Sequence, residues 1–251
     1  GSCVLGYADD DVNKAVIEAV NNGSMCSLNS YEEVELAERL IDMHPWANKA
    51  RFARTGGEAC SIAIRIARAA TDRSCVLFCG YHGWSDWYIS SNIGDETRLD
   101  EQLLPGLKPK GVPRELAGTA LPFEYNSIQS LRDAVNRKNG KIAAIIMEPQ
   151  RGSKPTKEFL QGVRQIASEI GAVLIFDEVT SGFRMNLGGI HKMLGVDPDM
   201  AVFGKALGNG FPIAAIIGRG EIMDAAQSSF ISSTFWTERI GFAAAVAALD
   251  K

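Results

Sequence analysis

The stretch VFGKALGNGFPIAAIIG, residues 202–218, sets one lysine, Lys205, behind a short apolar run, and a second such run follows a glycine-rich bend. Both runs, MAVF (200–203) and AAIIG (214–218), are continuous and branched rather than alternating, which marks strands covered on both faces. Four more stretches have the same character: ARFAR (50–54), CVLFC (75–79), IAAIIM (142–147) and AVLIF (172–176). Between them, EACSIAIRIARAA (58–70) and KEFLQGVRQIASEIG (157–171) repeat apolar residues at helical spacing, the second ending on glycine. Strand, helix and strand in this alternation predict an α/β fold, a mostly parallel sheet with helices on both faces.

Composition agrees with a folded globular chain. Of 251 residues, 46% are hydrophobic and 22% charged, enough for one large core. A net charge of −4 with scattered lysines and arginines supplies no basic footprint, so nucleic acid is not an expected partner. The longest apolar runs fall far short of the roughly 20 residues that span a bilayer, so no membrane partner is expected either. Five cysteines and three distant histidines show no ligand-like spacing; no metal site is predicted, Cys75 and Cys79 are read as core residues, and the thiols suit a cytoplasmic protein. Residues 91–125, with Pro105, Pro109, Pro113 and Pro122, read as a long surface excursion.

Ligands on such sheets bind beyond the carboxyl ends of the strands, so the residues that follow each strand carry the functional reading. Thr55-Gly56-Gly57 follows the first run and opens a helix, where free N–H groups and close backbone approach suit a phosphate. GYHGWSDWY (80–88) follows the second and offers Tyr81, His82 and two tryptophans, with flat faces for a ring. Glu148 follows the run at 142–147, Asp177-Glu178 the run at 172–176, and Lys205 lies 28 positions beyond Asp177, about one crossover. An amine, a carboxylate, an aromatic and a phosphate turn at one sheet edge match pyridoxal 5′-phosphate. Its aldehyde takes a lysine as a Schiff base, its pyridine nitrogen a carboxylate, its phosphate backbone donors and its ring an aromatic cover.

With those residues in place, the chain resembles the class III aminotransferases of the pyridoxal-phosphate fold-type I superfamily, above all the glutamate-1-semialdehyde 2,1-aminomutase group. The matching stretches are RTGGEACSIAIRIARAATDR, GYHGWSDWY, IIMEP, LIFDEVTSGFR, PDMAVFGKALGNGFPIAAIIG and SSTFWTERIGFAAAVAAL, in family order over nearly the whole chain. The resemblance implies a three-layer α/β/α large domain. It makes Lys205 the Schiff-base lysine and Asp177 the partner of the pyridine nitrogen. Gly56 and Gly57 would hold the phosphate, Tyr81 and Val179 would cover the two ring faces, and His82 and Glu148 would line or brace the site. Glu178 is expected to be structural and paired with an arginine. Thr234 matches a threonine that reaches the phosphate bound by the neighbouring subunit, which implies a homodimer.

The chain departs from the family pattern at Thr55-Gly56-Gly57, where Ser-Gly-Thr is usual, and at Gln150-Arg151-Gly152-Ser153. The resemblance divides it into an N-terminal helical segment (1–49) and a cofactor-binding large domain (50–251), with the C-terminal small domain absent. The expected activity is transfer of an amino group from a donor such as glutamate to a carbonyl acceptor. An intramolecular 2,1-aminomutase is the nearest alternative, and a truncated subunit that binds the cofactor without turnover is the alternative of another class. A nucleotide-binding role for TGGEA is disfavoured: no acid sits at the ribose distance, and Lys205 would have no part in it.

Overall fold

The computed structural model describes residues 1–251. Seven strands form one sheet: β1 (Lys49–Ala53), β2 (Cys75–Cys79), β3 (Ala120–Pro122), β4 (Ile142–Met147), β5 (Val173–Asp177), β6 (Met200–Phe203) and β7 (Ala214–Gly218). Their order across the sheet is β1-β7-β6-β5-β4-β2-β3. The block from β6 through β3 is parallel, whereas β7 is antiparallel to both β6 and β1. Residues 204–213 between β6 and β7 are too few for a helical crossover, so the chain turns back directly and β7 reverses. β1, antiparallel to β7, regains the common direction, and its carboxyl end joins the others at one edge.

Neighbouring residues of each strand face opposite layers. Phe78, Ile146, Ile175, Val202 and Ile216 pack under α3 (Gly56–Thr71), against Ile62, Ala63 and Ile66. Leu77, Ile145, Leu174 and Phe176 face the other way, against Leu131 of the helix Ile128–Asn136 and Phe159, Val163 and Ile166 of the helix Lys157–Ile170. This alternation is why the strands read as continuous apolar runs: both faces are covered. Each fully buried isoleucine or phenylalanine contributes roughly 1.5–3 kcal/mol. Cys75 and Cys79 sit in the second of these cores, and all five cysteines are free thiols.

Capping places the site-bearing helix. Thr55 Oγ1 accepts from Glu58 N–H, so α3 begins at Gly56, directly at the sheet edge. Gly171, at φ +63°, ends the helix Lys157–Ile170 and turns the chain into β5. Helices Asp10–Asn21 and Tyr31–Asp42 precede β1 and pack on the all-apolar helix Ile240–Leu249 through Val12, Val16 and Ala244, and through Leu36, Leu40 and Phe242. Ion pairs of Lys251 with Asp9 (2.8 Å) and Arg239 with Glu32 (2.6 Å) join the two ends of the chain. No helix is long and apolar enough to cross a membrane.

The surface excursion predicted at residues 91–125 contains a strand that the sequence reading lacks. β3 runs parallel to β2 within it, three residues long, and ends on Pro122. A proline without an N–H is tolerated at a sheet edge, and so short an edge strand leaves no periodic trace.

Candidate active site

The carboxyl edge of the sheet encloses a cavity of about 430 Å³, a size that suits a small cofactor. Gly56, Gly57, Tyr81, His82, Glu148, Asp177, Val179 and Lys205 all line it. Eight of the nine predicted site residues thus meet in one place. The ninth, Thr234, lies outside, on the exposed turn Thr234–Thr237.

Asp177 closes β5 and is 5% exposed, and its position is fixed from three directions. Oδ1 accepts from Val179 N–H at 3.1 Å; Oδ2 accepts from the Cys60 thiol at 3.3 Å and meets His82 Nδ1 at 2.8 Å. His82 Nε2 reaches the Cys79 carbonyl at 3.2 Å, so that nitrogen carries a hydrogen, and a shared proton joins Nδ1 to Asp177. Trp87 stacks on the imidazole at 6.4 Å between ring centroids.

Lys205 stands two residues beyond β6 at the cavity's open side, its Nζ donating to Thr180 Oγ1 at 2.8 Å. Its φ is +43°, a left-handed conformation that costs a residue with a Cβ roughly 1–2 kcal/mol. The backbone is held there by Gly204 before it and by the buried Ala206 and Leu207 after it. Strain of this kind, kept by its surroundings, is typical of functional positions.

The phosphate-type turn is shaped by close backbone approach. A side chain on Gly56 would meet Val179 Cγ1 at 2.8 Å, so glycine here lets Val179 lie over the turn. The N–H groups of Gly56 and Gly57 open α3 without a partner in the chain, leaving two orphan donors on the cavity wall. Gly83 packs against the same turn at φ +98°, and a Cβ on it would sit 2.7 Å from Gly57 Cα. Gly83→Ala is therefore expected to destabilise the fold by about 2–3 kcal/mol and to push Gly57 away from the cavity. Thermal unfolding checks this: the midpoint falls by several degrees, and an unchanged midpoint would refute the packing.

Glu148 lies below the loop at 80–82, its Oε2 accepting from Tyr81 N–H at 3.1 Å with Arg151 at 3.5 Å. Burial first, and then the charge of Asp177, push its carboxyl above the usual glutamate value. Tyr81 presents its ring to the cavity and meets Tyr88 edge-on at 5.9 Å.

One expectation is corrected. Glu178 is fully buried, but its partner is a histidine and not an arginine: Oε1 takes His191 Nδ1–H at 2.7 Å and His191 N–H at 2.9 Å, while Oε2 takes Ser181 Oγ–H at 2.6 Å and Ile190 N–H at 2.9 Å. The interior offers the carboxylate four donors, one of them a neutral imidazole that accepts from Trp46 Nε1–H at 3.3 Å. A histidine 13 positions away carries no sequence signal for this pairing.

Two further residues escaped the sequence reading. Cys60, one turn into α3, reaches Asp177 across 117 positions. Arg54 lines the cavity and donates to the carbonyls of Phe235 (2.8 Å), Trp236 (2.9 Å) and Glu238 (2.7 Å), which ties the Thr234-bearing segment to the rim.

Comparison with known proteins decides the family, because the aminotransferase class-III model matches residues 1–251. The chain belongs to the class III aminotransferases. This class III chain is 34% identical to 3-aminobutyryl-CoA aminotransferase of Cloacimonas acidaminovorans, over all of the chain and 58% of that protein. It is 41% identical to glutamate-1-semialdehyde 2,1-aminomutase of Citrifermentans bemidjiense, over 89% of the chain and 52% of that enzyme. A transaminase solved with PLP bound superimposes with a TM-score of 0.88 at 25% identity, over 99% of the chain and 60% of the other. The chain thus spans little more than half the length of the relatives it matches. The α/β fold with its mostly parallel sheet is that of these transaminases.

Proposed function

We propose that the chain is the cofactor-binding part of a pyridoxal-phosphate-dependent aminotransferase. The observation that carries the reading is one cavity that holds an amine at its mouth, a buried carboxylate at its floor and two orphan N–H donors on its wall. Those groups fit pyridoxal phosphate. Lys205 would hold it through the amine, Asp177 would face the pyridine nitrogen, Gly56 and Gly57 would take the phosphate, and Tyr81 and Val179 would bracket the ring. When bound, the cofactor supplies an electron sink for the charge that develops on the amine-bearing carbon of the substrate.

The chain's own residues supply the rest. Lys205 Nζ would act as the base that moves the proton at that carbon. Asp177 keeps a proton on the pyridine nitrogen, and His82 and Cys60 fix the carboxylate's orientation. Tyr81 and Val179, on the cavity wall, would limit water at the ring. Asp177→Asn is expected to lower kcat by about 10²–10³-fold with a small change in KM, since the charge acts as the reaction proceeds. A steady-state assay checks it, and a fall of less than threefold contradicts the role.

Residues 50–251 form the cofactor-binding domain on this reading, and 1–49 the segment that leads into it. The natural assembly is a homodimer in which Thr234 reaches the neighbouring subunit's cofactor. Trp84, Phe230 and Phe235, 80%, 91% and 64% exposed, make an apolar rim beside the cavity that a second copy would cover. Five free thiols suit the reducing cytoplasm.

An intramolecular aminomutase remains the second reading, favoured by the 41% identity to such an enzyme. Glutamate supplied with a panel of carbonyl acceptors separates the two. Net formation of 2-oxoglutarate is expected for transfer, and conversion of an amino-aldehyde with no net donor consumption would place the chain with the mutases.

A further inference from the structure

At the floor of the cavity, the sulfur of Cys60, the Nδ1 of His82 and a carboxylate oxygen of Asp177 lie within 4.8 Å of one another, and all three residues are buried. The function proposed above uses the carboxylate and leaves the thiol and the imidazole with supporting parts. We propose that, in the cofactor-free chain, Cys60, His82 and Asp177 form a site for a thiophilic divalent cation such as Zn²⁺, and that this ion and the cofactor exclude each other.

The donor set is that of zinc: one thiolate, one imidazole and one carboxylate, with a fourth position open to the cavity for water. Bonds of about 2.0–2.3 Å around a tetrahedral ion place ligand atoms about 3.5 Å apart. Asp177 Oδ2 already lies 3.3 Å from Cys60 Sγ and 2.8 Å from His82 Nδ1, so a small opening of the His82–Asp177 contact admits the ion. An outer layer of support is present as well. His82 is oriented by Nε2–H on the Cys79 carbonyl, and the carboxylate is anchored through Oδ1 on Val179 N–H, the kind of bracing that metal-binding histidines and carboxylates show.

Charge favours the exchange. In the metal-free chain two protons sit among these groups, one on Cys60 sulfur and one shared by His82 Nδ1 and Asp177. A dication displaces both to solvent, forms bonds to Sγ, Nδ1 and Oδ2, and leaves the charge of the cavity floor unchanged. A coordinated thiol is deprotonated outright, so the ion itself supplies the charge that holds the thiolate. Glu148, a further carboxylate on the same wall, adds to the attraction, while Lys205 is directed to Thr180 at the mouth.

The exclusion of the cofactor rests on the proposed function, because the ion would engage the carboxylate assigned to the pyridine nitrogen. The metal site does not depend on that reading. The test is Co²⁺ titration of the full chain after removal of any cofactor with hydroxylamine. A thiolate-to-cobalt charge-transfer band is expected, saturating at one ion per chain and abolished both by Zn²⁺ and by Cys60→Ser. Cys75→Ser, which removes a buried thiol in a different core, should keep the band. Absence of a thiolate band in the wild-type chain overturns the site without reference to any variant, and a band that survives Cys60→Ser overturns this assignment. Pyridoxal phosphate added first should prevent the band. If the cofactor binds and the band still forms, the exclusion is wrong; if the cofactor fails to bind at all, the functional reading fails while the cobalt spectrum still judges the metal site.

Discussion

Lys205→Ala is expected to lower amino transfer by about ten-thousand-fold or more, because the proposed function makes one residue both the covalent anchor of the cofactor and the base at the substrate carbon. No other amine lines the cavity to replace it: Arg54 shares the wall, but its guanidinium is engaged with three backbone carbonyls. The fold should survive, since the Lys205 side chain is exposed and makes one side-chain hydrogen bond, to Thr180. Single-turnover and steady-state rates on the same preparation give the measurement. Activity within tenfold of the wild type would mean that another residue moves the proton. Added methylamine should restore part of the rate if the amine itself is what is missing.

Glu178→Ala is expected to destabilise the chain by about 3–5 kcal/mol, because several buried donors lose their acceptor at once. Removal of the carboxylate strands four donors, those of Ser181 Oγ, Ile190 N, His191 N and His191 Nδ1, in an interior that water does not reach. Glu178 is also next to Asp177, so loss of the network loosens the strand end that presents the cavity's carboxylate. The midpoint of urea unfolding should fall accordingly, with Glu178→Gln losing less, since an amide oxygen still accepts. A loss below 1 kcal/mol for the alanine variant would mean that the four donors find other partners.

The fold was legible because the sheet is covered on both sides. Such burial writes itself as unbroken apolar runs, and IAAIIM, CVLFC, MAVF and AAIIG coincide with strands residue for residue. Asp177 and Lys205 were legible for a related reason, since a parallel sheet gathers the residue after each strand at one edge. What depends on register or on distant pairing was not. β3 is too short and too near the rim to leave a pattern, and the reversal of β7 is recorded in the length of a loop rather than in its composition. Cys60 touches Asp177 because α3 crosses back over β5, and His191 reaches Glu178 because a loop returns under the sheet. Neither contact has any signature in spacing along the chain. The departures around Thr55-Gly56-Gly57 find a physical reason in the structure: Gly57 lies against Gly83, where a Cβ would be 3.3 Å from its Cα.

The central claim is that Lys205 holds the cofactor in the cavity floored by Asp177. Incubation of the chain with pyridoxal phosphate, reduction with borohydride and peptide mass mapping tests it most directly. A single phosphopyridoxyl group on the peptide that contains Lys205, absent in Lys205→Ala, is the predicted result. Labelling spread over surface lysines such as Lys108 and Lys192, with Lys205 unmodified, would contradict the account.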